Sequence, residues 1–361
     1  MPAERLLVIN PGGITTRLAY FEGEREALSA TLEHDPADLS FFSKTLDQLP
    51  YRQEAVNATL REWKLNLNEL KAVVSRGGPL TPLPAGVYLI DGTMVADIWA
   101  ERVSADHPSL LGCIMALELA SYRGKPAYVV DPVSVDEMDD AARVSGLAGL
   151  PRHSLWHALN SRYVARIVCE RRGVKYEETN LVVVHLGSGI SVSAHRKGRA
   201  VDVSNPNEMG PFSPARAGGV PTTGLASLCF GGEATHNQVI ERLTKKGGLV
   251  DHLKTADLRE VERRIDLGDR QADLVYRAMA YQVAKEIGAM AIACGGPSII
   301  AITGGLAYSE RFVRLIAERV VVFAPVEVVP GEMEMEALAA GALRVLRGQE
   351  KAKSYKAYRN Q

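Results

Sequence analysis

NLVVVHLGSGISVSAHRKGR, residues 180–199, is the stretch on which the fold turns. Leu181 to Val184 is a short apolar run ending in three valines, the composition of a buried strand. Gly187-Ser188-Gly189 then turns the chain. Ile190, Val192 and Ala194 alternate on a return strand, and Lys197-Gly198 starts the next turn. A glycine-rich tip has no side chains at its tightest point, so backbone N–H groups there can approach a phosphate closely. One such turn would be read most simply as an ordinary hairpin. This chain contains it twice.

The second copy is ERLLVINPGGITTRLAYFEGER, residues 4–25. Adding 175 carries Leu6–Ile9 onto Leu181–Val184, Asn10 onto His185, Gly12 onto Gly187 and Gly23 onto Gly198. The apolar alternation of the return strands is one residue out of step, which allows the two turns to differ in length. A further echo links KAVVSRGGPL (71–80) with SIIAITGGLA (298–307), where adding 227 carries Gly77 onto Gly304. The offsets differ by 52, so the second half carries about that many extra residues between its glycine sites. A repeat this long means two similar domains rather than a solenoid. Two phosphate-sized turns in two related domains suggest a nucleotide held in a cleft between them.

Composition narrows the classes. A chain of 361 residues suits two domains, and 46% hydrophobic with 24% charged residues is ordinary for a soluble globular protein. A formal net charge of −1 gives no basic surface for nucleic acid or an anionic membrane. Cys113, Cys169, Cys229 and Cys294 are widely spaced and form no metal-type pair, which predicts a reduced, cytoplasmic setting. The first strand begins at Leu6, leaving no room for a signal peptide. Ile287 to Ser309 carries no charge, but Gly295-Gly296-Pro297 and Gly304-Gly305 interrupt it, so no spanning helix fits.

Helices are predicted over 41–63, 110–122, 154–172, 274–294 and 333–346, and further strands over 71–74, 127–130 and 299–303. Arg76 follows its strand directly, where α/β sheets open towards ligands. Asp131 also ends a buried strand, although Pro132 makes turn-capping an alternative. His157 and Asn160, near the start of a helix, read as structural. For His185 a phosphoryl donor and a turn-holding residue are equal readings. Asn205–Gly224 is rich in proline and glycine, falls inside the extra 52 residues, has Arg216 as its one cation, and reads as a functional loop.

Eight motifs in order now carry a resemblance: INPG at 9–12, SRGG at 75–78, VDPVSVDEM at 130–138, HALN at 157–160, HLGSGISV at 185–192, GPFSPAR at 210–216, TGGLAY at 303–308 and PGEMEM at 330–335. Together they resemble the butyrate kinases of the acetate kinase family, within the acetate and sugar kinase, Hsp70 and actin superfamily. The resemblance implies an α/β protein of two duplicated ribonuclease H-like (actin-like ATPase) domains with an interdomain cleft. The first would span 1–155, completed by a C-terminal helix in 333–361, and the second, nucleotide-binding, 156–332. It implies ATP-dependent, reversible phosphorylation of a short-chain fatty acid, butyrate or branched, to an acyl phosphate. The alternatives are a catalytically weak or differently specific homologue and a sugar kinase of the same superfamily. The family pattern is not kept everywhere. Gly13 and Ile14 stand where the first turn usually carries Ser and Thr, Arg17 where lysine is usual, Leu110 where asparagine is, and Ala215 where glutamate is.

A carboxylic acid is ionised at pH 7 and needs no general base; the obstacle is bringing an anion to the polyanionic end of ATP. Arg76 and Arg216, with Mg²⁺, meet that need, since guanidinium forks match carboxylate and phosphoryl oxygens. By resemblance, Asn10 faces the transferred phosphate, and Asp131 with Glu332 or Glu334 holds the metal. Gly12, Thr15, Thr16, Gly187, Ser188, Gly189, Gly304 and Gly305 would bind ATP or ADP. Gly77, Gly78 and His107 would bind the carboxylic acid, with the two bare glycines leaving room for an acyl chain longer than acetate. The partners implied are these two small molecules and further copies of the chain, as a homodimer or higher oligomer.

Overall fold

A computed structural model of the chain describes residues 3–232 and 234–359; Met1, Pro2, Glu233, Asn360 and Gln361 lie outside the described residues. The apolar runs form strands: β1 (Arg5–Pro11), β2 (Thr15–Glu22), β3 (Arg25–Glu33), β4 (Ala72–Ser75), β5 (Val87–Leu89) and β6 (Ala127–Val130). They continue as β7 (Asn180–Leu186), β8 (Ile190–Arg196), β9 (Arg199–Val203), β10 (Ile299–Gly304), β11 (Val326–Pro330) and β12 (Lys353–Ser354). One sheet has the order β12-β5-β6-β4-β1-β2-β3 and the other β11-β10-β7-β8-β9. With β6 matched to β11, five strands follow one order in both sheets.

The register carries the duplication to single residues. Leu6 pairs with Ala72 across parallel β1 and β4; Leu181 pairs with Ile299 across parallel β7 and β10. The offsets 175 and 227 map the first pair onto the second. The hairpins differ as the alternation allowed: Pro11 pairs with Thr16 around four residues, and Leu186 with Ile190 around three.

The chain forms two compact units, Met1–Asp136 with Met333–Gln361, and Glu137–Glu332. In the second, Val182, Val184 and Leu186 share a core with Val275, Met279, Val283 and Ile287 of the helix Arg270–Ala293. The opposite side of β7, which carries His185, meets the helix Ala158–Arg171. In the first unit, Leu7, Ile9 and Val73 pack with Leu111 and Met115 of the helix Leu111–Ser121, and the helix Glu334–Leu346 packs on β1, β4 and β6. Covering both faces explains why the central strands are apolar throughout rather than alternating.

Helix boundaries differ from expectation where local chemistry dictates. The first long helix is Leu49–Trp63, not 41–63, because Pro50 suits the first helical turn. Asp269 caps the helix Arg270–Ala293 by accepting from Ala272 N–H, four residues ahead of the predicted start. No helix among the described residues is long and apolar enough to cross a membrane.

Candidate functional site

In the first unit, β1, β4 and β6 lie side by side and parallel, so Asn10, Arg76 and Asp131 arrive at the same edge of the sheet. The helix Glu334–Leu346 delivers Glu334 to that edge in its first residue. Asn10 Nδ2 donates to Glu334 Oε2 at 2.8 Å, and Arg76 Nη2 pairs with Glu334 Oε1 at 2.9 Å. The carboxylate is thus gripped by two donors. Asn10 Oδ1 and Arg76 Nε are buried with no hydrogen-bond partner, which is uncommon in a protein interior and marks capacity left for a ligand.

Asp131 is buried at φ 37°. Its Oδ1 accepts from Gly86 N–H at 2.7 Å, and its own N–H donates to Gly86 O at 3.0 Å. One carboxylate oxygen is therefore committed to tying the strand end to a backbone turn. His107 caps the turn Pro108–Leu110: its Nδ1 accepts from Ser109 N–H at 3.1 Å and lies 2.7 Å from Ser109 Oγ. Burial, then the Arg76 guanidinium, push its pKa down, against Asp106 and Glu334.

Two expectations are corrected in this unit. Gly77 and Gly78 do not open a space. A Cβ on Gly77 would run into Val129 Cγ1, and one on Gly78 would lie 2.7 Å from Ser109 Oγ and 2.9 Å from Leu110 N. Both glycines have positive φ, 85° and 70°, so they serve backbone shape and close packing, and the extra room expected from them is filled. Thr16 does not line the outer face of its turn. It is fully buried, with Oγ1 2.9 Å from His34 Nε2 and 3.3 Å from Arg52 Nη1. Arg52, also fully buried, donates to the carbonyls of Gly12 at 3.0 Å, Thr15 at 3.1 Å and Gly13 at 2.5 Å. It binds the first glycine turn from inside, and nothing in its neighbouring sequence signals this.

In the second unit, β7, β10 and β11 are parallel neighbours whose ends carry His185, Gly304 and the Gly331-Glu332 pair. The proline-rich loop folds onto the Gly187–Gly189 turn: Ser213 Oγ donates to Ser188 O at 2.6 Å, and Ala215 N–H to the same oxygen at 3.3 Å. This seats Arg216 against the turn, where a Cβ on Gly189 would lie 2.5 Å from Arg216 Nη1. Gly189 is glycine because a guanidinium fills its side. Burial pushes the Arg216 pKa down, and among the described residues it has no ion-pair partner. A half-buried cation with no ion-pair partner, beside a glycine turn, has the charge and the exposed backbone N–H groups that an anion requires.

His185 stacks on His157, with ring centroids 3.9 Å apart and an interplanar angle of 11°. Its Nδ1 lies 3.0 Å from Asn160 Nδ2, and its Nε2 lies 3.6 Å from Glu332 Oε1. His157 and Asn160 thus touch the site directly, contrary to their reading as helix-start structure; helical position alone did not reveal their partner. Gly304 has φ 94°, and a Cβ there would strike Leu186 O. Gly305 faces open space and lines a cavity of about 780 Å³ with Leu258, Glu262, Leu306 and Tyr308, within the range of small-ligand sites.

Residues 149–339 match the model of the acetokinase family, more than half of the chain. The chain belongs to the acetokinase family. It is similar to the acetate kinase of Porphyromonas gingivalis (TM-score 0.78, 21% identity, 95% of this chain and 100% of that one). It is similar also to the acetate kinase of Entamoeba histolytica (0.75, 15%, 94% and 98%). A third likeness is to a propionate kinase from Francisella tularensis subsp. tularensis SCHU S4 (0.70, 18%, 93% and 98%). These likenesses show the actin-like ATPase fold. Family membership points to a carboxylate kinase acting with ATP or ADP.

A family of this kind implies Mg²⁺. Among the described residues no group of three or more His, Cys, Asp or Glu side chains forms a metal cage. Mg²⁺ does not require one, since it commonly takes one or two carboxylates, waters and phosphate oxygens. The first unit fits that demand: Glu334 stands beside the unpartnered, buried Asn10 Oδ1. Glu332, in the second unit, lies with its Oε1 3.6 Å from His185 Nε2.

Proposed function

We propose that this chain is an ATP-dependent kinase that phosphorylates the carboxylate of a short-chain fatty acid, butyrate or a branched acid, reversibly and through an acyl phosphate. The observation that carries the reading is Arg216, a half-buried cation with no ion-pair partner among the described residues, set on the Gly187–Gly189 turn. An ionised acyl acceptor needs charge compensation rather than a base, and in such reactions catalysis comes mostly from electrostatic stabilisation of the transferring phosphoryl group.

In this reading Gly187, Ser188 and Gly189 hold the phosphate chain, Gly304 and Gly305 with their cavity hold the nucleoside, and Gly12 and Thr15 contribute from the first turn. Arg76 takes the acyl carboxylate, with His107 and the backbone of Gly77 and Gly78 alongside, and Asn10 faces the transferred phosphate. Arg216 and His185 address phosphoryl oxygens. Mg²⁺, held by Glu334 with Asp131, would neutralise phosphate charge. The chain-length preference rests on the motif set spanning residues 9–335, and no longer on the glycines. The helix Thr222–Phe230, apolar and with no buried residue, gives a homodimer or higher oligomer a surface to cover, and a cytoplasmic setting follows from the four separated cysteines.

The test is ATP-dependent acyl-hydroxamate formation over a panel from acetate to valerate, with isobutyrate, isovalerate and hexoses. Turnover on butyrate or a branched acid above acetate is expected. Hexose phosphorylation without hydroxamate would replace the proposal with a sugar kinase, and acetate as the best substrate would remove its chain-length clause.

A further inference from the structure

The two units hold the same three-residue arrangement in opposite chemistry. In the first, a residue in the opening turn of a helix, Glu334, meets the ends of two parallel strands at Asn10 and Arg76. In the second, Asn160 in the opening turn of Ala158–Arg171 meets His185 and Thr303. The offsets 175 and 227 carry Asn10 onto His185 and Arg76 onto Thr303. The helix residue accepts from both strand ends in the first unit. In the second it donates to both.

The direction of that donation follows from the end of the chain of bonds. Gly331 O is a carbonyl and can only accept, so Thr303 Oγ1, 3.1 Å away, donates to it. The Thr303 oxygen is then left to accept, at 3.2 Å, from Asn160 Nδ2. The same amide nitrogen lies 3.0 Å from His185 Nδ1 and donates there too. An imidazole whose Nδ1 accepts carries its proton, in the neutral form, on Nε2. That Nε2 is buried with no hydrogen-bond partner. A Cβ on Gly187 would come within 3.0 Å of it, so the absent side chain leaves room at Nε2 beside the phosphate turn, with Glu332 Oε1 standing 3.6 Å away, beyond hydrogen-bond distance.

We propose that Asn160 and Thr303 are positioning residues that hold His185 as its Nε2–H tautomer, so that Nε2–H is presented to a phosphoryl oxygen at the Gly187–Gly189 turn. The proposal rests on the phosphoryl-transfer reading above for what the donor serves. The bond chain runs Gly331 O, Thr303, Asn160, His185, and the backbone carbonyl at its head sets the proton at its tail. His157, stacked on the same ring, fixes its plane.

The tautomer is read directly by ¹H–¹⁵N long-range correlation on the full chain labelled with ¹⁵N-histidine, His185 being assigned from the spectrum of His185→Gln. The expected spectrum has a protonated Nε2 and an unprotonated Nδ1, and the Nε2 resonance shifts on addition of ATP. Asn160→Asp replaces the donor with an acceptor; it should move the proton to Nδ1 and lower kcat by roughly a hundredfold with KM for the carboxylate little changed, as loss of one aimed donor does. Thr303→Val should shift the same resonances, and Thr303→Ser, which keeps the hydroxyl, should restore them. A wild-type His185 protonated on Nδ1, an unmoved tautomer in Asn160→Asp, or no response of Nε2 to ATP would each overturn the proposal. If Asn160→Asp fails to fold, the wild-type spectrum and the Thr303 pair still decide it. Failure to make any acyl hydroxamate is a separate outcome, which overturns the kinase reading whatever the spectrum shows.

Discussion

Asn10 and His185 occupy the same position in two copies of one strand, 175 residues apart, and each faces the first turn of a helix. The copy in the first unit meets a carboxylate, Glu334, that Arg76 also grips; the copy in the second meets a neutral amide. Duplication supplied the geometry twice, and the residues at three positions make an ion pair with an amide in one half and a chain of hydroxyl, amide and imidazole in the other.

Arg216→Ala should lower kcat by roughly a hundredfold or more, because a main charge stabiliser is lost. Arg216→Lys should recover only part of the rate, since an ammonium cannot reproduce the fork that fits over Gly189. Steady-state kinetics at saturating ATP reads this, and near-normal turnover in Arg216→Ala would remove the residue from the site.

Arg76→Ala should raise KM for the carboxylate as well as lower kcat, because Arg76 is assigned to the acceptor. It should also free Glu334, which then has only Asn10 of its two partners. Titration of the acyl acid by calorimetry without nucleotide checks the binding part; unchanged affinity would exclude the assignment.

Gly78→Val should lose butyrate and acetate turnover alike, together with thermal stability, since its Cβ meets Leu110 N and its φ is 70°. Gly305→Ala, facing open space, should melt like the wild type. Thermal melts and both activities decide it: a selective loss of butyrate turnover in Gly78→Val would return the glycine to the acyl pocket.

Arg52→Met should destabilise the chain by about 2–4 kcal/mol, because several oxygens of the first turn lose a buried donor at once. Urea denaturation measures the loss. A change within about 0.5 kcal/mol would mean that water replaces the guanidinium without cost, as happens at surface sites.

Acid should weaken the fold through its buried histidines. Burial lowers His34 from 6.5 to about 4 and His195 from 6.5 to about 3, with Arg52 and Arg162 adding to the two effects respectively. Between the unfolded value near 6.5 and these folded values, the unfolded chain binds more protons, so stability rises with pH there. The contribution is complete above about pH 6.5 and is lost as pH falls towards 4 and 3. Urea midpoints at about pH 7 and about pH 5 should therefore differ, and by less in His34→Gln than in the wild type; an equal drop in both would show that His34 is protonated in the fold.

The strands, the two offsets and the family were legible in the sequence alone, because each is a local pattern: an apolar run ending in glycine, repeated at a fixed distance. The hairpins even announced their difference in turn length through one shifted alternation. Arg76 stood out directly before two glycines, and Arg216 as the one cation of a proline- and glycine-rich loop; that Arg216 lies on the Gly187–Gly189 turn is a matter of packing. What only the tertiary structure decided is which side chains meet. Glu334 reaches Asn10 across 324 residues of sequence, and Asn160 reaches Thr303 across 143. Arg52, inside an amphipathic helix, binds a turn 40 positions earlier, at Gly12. The glycines after Arg76 looked like vacant space, and Val129 and Leu110 fill it. Periodicity reports which face of an element is buried. Hydrogen-bond partners and filled volumes depend on how distant elements pack, and that depends on every contact in the core at once.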